Sequence, residues 1–183
     1  YRQSTVAKRP EGLIQNVTSR DEPAGLRNIP DYSLWWVMGA WNQYLYTGNR
    51  QGLELYYPTM LSIIDAIRPH VGAHGLVCDM PLWVFIDWAN VDRRGECTAF
   101  NAIFFGALEA AAHAAEELGH EDKAAEFRTL ADGIRRNFVT RLFDEKRGVF
   151  VDANVQDNLS DMVSEHSCMT AVMFGLCDAA QTE

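Results

Sequence analysis

The sequence predicts an all-α protein built from stacked antiparallel helical hairpins. Three observations carry this. Long stretches place apolar residues at helical spacing, and they come in pairs. Short glycine-containing connections join the pairs, as in αα-hairpins. No glycine-rich phosphate loop follows a strand, and neither Gly-x-Ser-x-Gly nor a His-Glu-x-x-His zinc motif occurs. The order is helix pair, loop, helix pair, loop, helix. Periodicity alone leaves a toroid or a solenoid open. The two hairpins differ in sequence and show no strict repeat, which weighs against the solenoid.

The chain has 183 residues, of which 48% are hydrophobic, enough for one domain with a sizeable core. Its formal charge of −9 (16 basic against 25 acidic residues) argues against nucleic acid or an anionic membrane as a partner. No apolar run approaches the roughly 20 residues of a membrane span. The chain starts at Tyr1 and ends in mid-pattern at Glu183. We therefore expect a piece of a longer protein, and the lack of a leader carries no information. Cys78, Cys97, Cys168 and Cys177 form no Cys-x-x-Cys spacing, so neither a metal nor another cofactor is expected. Cys97 and Cys168 fall in apolar helical patterns and read as buried free thiols, which leans toward a reducing, cytoplasmic compartment. Asn16-Val17-Thr18 matches a glycosylation acceptor, a pattern short enough to arise by chance.

Residues 1–30 show little periodicity and read as an extended lead-in, docked by Leu13, Ile14 and Val17; residues 31–183 carry the hairpins. Asp31 and Ser33 are candidate N-caps for the first helix, whose apolar positions are Leu34, Val37, Met38, Trp41 and Leu45. Gly48 stops it. A second helix is expected from about Gln51 to Arg68, kinked or restarted at Pro58. Residues 70–88 read as a small hairpin or extended loop.

The third helix, Glu96 to Leu118, carries Phe104, Ala107, Leu108, Ala111, Ala115 and Leu118 on one face. Six alanines between Ala107 and Ala115 thin it, so that a neighbour can approach closely. Gly119-His120 is the turn into a fourth helix, Asp122 to Leu142. A short strand over 148–151, a polar loop over 154–160 and a last helix from near Ser164, carrying Cys168, Ala171, Val172 and Leu176, complete the chain.

One stretch suggests chemistry. Pro81 to Asn101 begins with an apolar run, Trp83 to Ile86, of the residue types found in a buried strand. It then sets Asp87 beside Trp88, ahead of a polar loop with Asn90, Asp92, Arg93 and Arg94. A carboxylate accepts hydrogen bonds from hydroxyls, and an indole packs on the apolar face of a pyranose, so the pair suits a sugar pocket. The competing reading makes Trp88 core and Asp87 a loop cap.

Three motifs in order resemble a known family. Ile29-Pro30-Asp31-Tyr32-Ser33-Leu34-Trp35-Trp36, then Tyr44-Leu45-Tyr46-Thr47-Gly48-Asn49, resembles the first helix of the α-L-rhamnosidase catalytic domain. Phe85-Ile86-Asp87-Trp88, then Gly95-Glu96 and Phe100-Asn101-Ala102, resembles its next landmark. Ser164-Glu165-His166, before a helix ending Phe174-Gly175-Leu176, resembles a third.

The resemblance implies part of an (α/α)6 barrel, about three of its six hairpins, with short β-hairpin insertions. It implies an inverting glycoside hydrolase acting on terminal α-L-rhamnosides, with a carbohydrate substrate as partner. Such enzymes pair a general acid with a general base. In the family these lie upstream and downstream of the matching stretch, so no catalytic residue is expected here, and the segment alone is expected to be inactive. What carries over is substrate binding: Trp36 as an aromatic against the sugar, Asp87 and Trp88 at the rim, with Asp31 and His166 as further candidates. Glu165 stands where the family often has Gln. Glu96 reads as compensation of a helix dipole, and His113 as a core or surface histidine.

Another (α/α)6 glycosidase, or a non-catalytic helical scaffold, are the alternatives. An excised middle of a barrel would expose apolar flanks, and self-association through them is expected.

Overall fold

A computed structural model describes residues 12–14 and 29–178. The Asn16–Thr18 acceptor pattern and Val17 lie outside the described residues. Leu13 and Ile14 are buried in the core. Five helices are described: α1 Pro30–Thr47, α2 Arg50–Ile67, α3 Thr98–Leu118, α4 Glu121–Leu142 and α5 Glu165–Met173.

Helix α1 starts with Pro30 in its first turn, where a missing N–H costs nothing. Ile29 holds the N-cap position, so Asp31 and Ser33 lie inside the helix and do not cap it. Gly48 ends α1 with φ 62°, its N–H bonded to Tyr44 O at 2.7 Å. Asn49 then caps α2, its side chain accepting from Gly52 N at 3.0 Å. Helix α2 continues through Pro58 and does not restart there. Leu53, Tyr57, Met60 and Ile64 are buried on both sides of the proline and hold the two halves against one core.

Helix α3 corrects the expectation of a single apolar face: 16 of its 21 residues are buried, and it packs against all four other helices. Its alanines permit this. At Gly106 even a Cβ would lie 2.3 Å from the Phe174 ring and 2.9 Å from Met38 Sδ. The helix begins at Thr98, because Glu96–Cys97 form a short strand, β1. Gly119, at φ 81°, turns the chain into α4, whose first turn carries Glu121 and Asp122.

Between α2 and α3 the chain is mostly irregular. A single bridge joins Val71 to Val77. The buried Asn101 side chain accepts from Val77 N (2.7 Å) and donates to Val77 O (3.0 Å) and Cys97 O (2.9 Å). The apolar run from Trp83 to Ile86 is not a strand. Ile86 sits at φ 56°, and the N–H groups of Phe85 and Ile86 bond to the Asp31 carboxylate at 3.0 and 3.1 Å.

After α4, β2 (Phe143–Asp144) pairs antiparallel with β3 (Val149–Phe150). The expected polar loop over 154–160 holds a second hairpin, β4 (Ala153–Val155) and β5 (Asn158–Leu159). Its two turn residues, Gln156 and Asp157, both have positive φ, as a type I′ turn requires. Strand β4 also pairs with β1, in the register Glu96↔Asn154 and Cys97↔Ala153. Helix α5 starts at Glu165 and buries Ala171, but Val172 is half exposed and Leu176 lies beyond the helix end.

Candidate functional site

Helices α1, α3 and α5 all begin where the two long connections meet, and this end gathers the expected site residues. The loop carrying Asp87 and Trp88 is held from below by Asp31 of α1. Asp31 is 1% exposed, and burial pushes its carboxyl above the ordinary aspartate range, against the two backbone bonds it accepts. Each of its oxygens accepts one backbone bond from the loop, from Phe85 N and from Ile86 N.

Asp87 is exposed at the loop's crest. Its Oδ1 accepts from Trp88 N at 2.7 Å, and its Oδ2 accepts from His166 Nε2 of α5 at 3.0 Å. The histidine bond, with the backbone bond after it, lowers the Asp87 pKa. Since an ionised carboxylate only accepts, Nε2 carries the proton in this pair. Trp88 is 87% exposed, which excludes the reading that places it in the core. Its ring meets Phe85 edge-on at 4.9 Å and Trp83 at 6.5 Å, and Tyr32 of α1 meets Phe85 at 5.8 Å. An acid, an imidazole and an exposed indole thus stand together on an aromatic base.

A buried polar network fastens the two connections to each other. Asp152, fully buried, accepts at Oδ1 from Ser164 N (2.8 Å), Ser164 Oγ (2.6 Å) and Ser167 Oγ (2.8 Å), and at Oδ2 from Asp92 N (3.2 Å). Asp92 in turn accepts from Arg94 at 2.9 and 2.8 Å and from Ser160 Oγ at 2.8 Å. The Arg94 bond holds the Asp92 carboxyl down at about 2.

Trp36 is not part of this cluster. It is 8% exposed and packs edge-on against Tyr56 of α2 at 6.0 Å. Its neighbour Trp35 is the exposed one, and lines a groove of about 430 Å³ with Met38, Asn42, Glu109, His113 and Phe174. His113 stacks on Trp41 at 5.7 Å. Glu96 does not compensate a helix start: on β1 it accepts from Arg141 Nε at 2.9 Å and lies 2.8 Å from His74 Nδ1. Reading the sequence missed Arg93, Tyr32, Trp83 and Asp152 as supports of the site. Tyr32 lies within the first motif and Trp83 opens the apolar run before Asp87, so both could have been found there; nothing local marks Asp152.

Among the described residues no group of three or more His, Cys, Asp or Glu is arranged to hold a metal ion, and no helix is long and apolar enough to cross a membrane.

Paired helices around a buried α3, with long connections gathered at one end, define a domain of stacked helical hairpins. Residues 2–183 match the family described as the bacterial α-L-rhamnosidase six-hairpin glycosidase domain, and the chain belongs to that family. The fold agrees with solved structures. A family GH78 rhamnosidase of Bacillus sp. GL1 matches with a TM-score of 0.82 at 22% identity, over 93% of this chain and 18% of that one. A Klebsiella oxytoca rhamnosidase with rhamnose bound matches with a TM-score of 0.78 at 21% identity, over 96% and 33%. The α-L-rhamnosidase from Dictyoglumus thermophilum matches with a TM-score of 0.70 at 18% identity, over 99% and 20%. This chain therefore spans between about a fifth and a third of the length of these relatives. No curated protein matches it.

Proposed function

We propose that this chain supplies the sugar-contacting rim of an inverting α-L-rhamnosidase, and that the general acid and general base come from parts of the protein outside it. In an inverting site the two carboxyls stand roughly 6.5–9.5 Å apart, leaving room for the attacking water. The single observation that carries the reading is the pairing of an ionised Asp87 with the exposed Trp88 on a clamped loop. Asp87 would accept from sugar hydroxyls, with His166 fixing its orientation, and Trp88 would pack on the apolar ring face. Asp31 acts beneath the loop, and Trp36 supports the α1–α2 contact from the core. On this reading the segment alone hydrolyses nothing but retains part of the sugar contact.

The test is titration of the protein with L-rhamnose, followed by tryptophan fluorescence, for the wild type and Trp88→Ala. The expected result is saturable binding that weakens at least tenfold in the variant, with the thermal midpoint unchanged. Equal affinity in both would remove Trp88 from the site. Rhamnosidase assays on aryl rhamnosides should show no turnover by residues 1–183 alone; turnover would overturn the assignment of both catalytic carboxyls to other segments.

A further inference from the structure

The loop from Phe85 to Val91 lacks a ladder partner among the described residues, yet its carbonyls are not left to solvent. The backbone bends at Ile86 (φ 56°) and closes tight turns at Asp87 N to Phe85 O (2.7 Å) and Val91 N to Ala89 O (3.0 Å), and the carbonyls of residues 85, 87, 89 and 91 converge on one side. One guanidinium occupies that side. Arg93 donates to Phe85 O from Nε at 3.0 Å and from Nη2 at 2.9 Å. Nη2 also reaches Asp87 O at 3.0 Å and Ala89 O at 3.1 Å, and Nη1 reaches Val91 O at 3.1 Å. We infer that Arg93 is the positioning residue of the rim: it gathers alternate carbonyls of the loop around one cation and so sets where Asp87 and Trp88 stand. The link to sugar binding rests on the function proposed above.

The distribution of the bonds separates this from a general stabilising role. Every acceptor of Arg93 lies in the segment that presents Asp87 and Trp88. Attachment of that segment to the helices comes instead from Asp31, through Phe85 N and Ile86 N, and from His166, through Asp87 Oδ2. Only a planar group with donors spread over three nitrogens can reach four carbonyls arranged on an arc. A lysine offers three donors from one point and cannot span them. Losing Arg93 should therefore loosen the crest of the loop while the hairpins stay folded. The Asp87–His166 bond would then have to hold against a mobile backbone.

The experiment compares the intact protein with Arg93→Lys and Arg93→Ala, by amide hydrogen exchange and by L-rhamnose titration. In both variants we expect exchange over residues 86–91 to accelerate at least tenfold, with α3 amides unchanged. Rhamnose affinity should fall at least tenfold, and methylguanidinium should partly restore it in Arg93→Ala. Unchanged exchange over 86–91, or acceleration spread through α3, would overturn the inference. If the wild type binds no rhamnose, the proposed function falls, while the exchange data still decide whether Arg93 holds the loop. Arg93→Lys, which keeps the charge, supplies that result if Arg93→Ala does not fold.

Discussion

The two ends of the hairpin stack are built by different means. At one end α1 meets α2 through Gly48-Asn49, and α3 meets α4 through Gly119-His120. These turns close with backbone bonds to nearby residues, such as Gly48 N to Tyr44 O and Gly119 N to Glu116 O. At the other end the connections are long, and their bonds cross large sequence distances: Asp31 to Phe85, Asp92 to Asp152, Asp87 to His166. The first kind of end needs only a residue able to take positive φ. The second needs side chains from distant segments to arrive together, and that is where the candidate site lies. A loop can present exposed groups in fixed positions only when something other than its own backbone holds it.

Substitution of a positive-φ glycine at each end is the sharpest way to break this comparison. A Cβ at Gly95, beside β1, would lie 2.2 Å from Asn154 O, whereas a Cβ at Gly119 meets nothing within 4 Å. Gly95→Ala should therefore displace β4 and cost about 3 kcal/mol or more. Gly119→Ala should cost only the backbone strain, about 1 kcal/mol. Urea unfolding of both variants measures the difference, and equal losses would end the distinction.

Next in size is Asp152→Ala, which strips partners from Asp92 N, Ser164 and Ser167 in a buried setting. A loss of about 2–3 kcal/mol is expected, with exchange rising in both connections and not at the Gly48 and Gly119 turns. Exchange confined to 152–167 would show that the two connections are held independently.

The smallest effect concerns acid. Asp92 has its pKa lowered from 3.8 to about 2, chiefly by Arg94. A depressed carboxyl stabilises the fold above the unfolded pKa and loses that contribution as pH falls toward the folded one. The contribution should be present above about pH 4 and fade between about 4 and 2. Since the Arg94 side chain is largely exposed, solvent screening makes this the smallest of the three effects. Arg94→Ala should flatten this part of a pH–stability curve and leave the curve above pH 5 parallel to wild type.

Much of the tight-turn end was legible in advance. Gly48, Gly119 and the apolar spacing of the helices are local signals, and the hairpins follow from them. Asn49, which caps α2, was missed, although Asn before a helix is itself a local signal. The long-loop end was legible only in part. Asp87, Trp88 and His166 were singled out from motifs, and the structure brings them together. Trp36 and Trp35 are adjacent on one helix, and the spacing could not say which would face Tyr56 and which the groove. Asp31 read as a cap because the sequence shows the helix it belongs to and not the loop 54 residues later that uses its carboxylate. The run Trp83–Ile86 has strand composition, yet Asp31 and Arg93 take its backbone groups, and Ile86 turns to positive φ.

What the sequence by itself determined was the succession of helices and the glycine turns between them, because periodicity and positive φ act over a few residues. The tertiary structure alone decided which tryptophan is exposed, that α3 is buried nearly all round, and that Asp31, Arg93 and His166 converge on one loop. The physical reason is range. A helix pattern is set by neighbours in the chain, whereas a buried carboxylate or a guanidinium is satisfied by whichever backbone groups the packing of distant helices brings within about 3 Å.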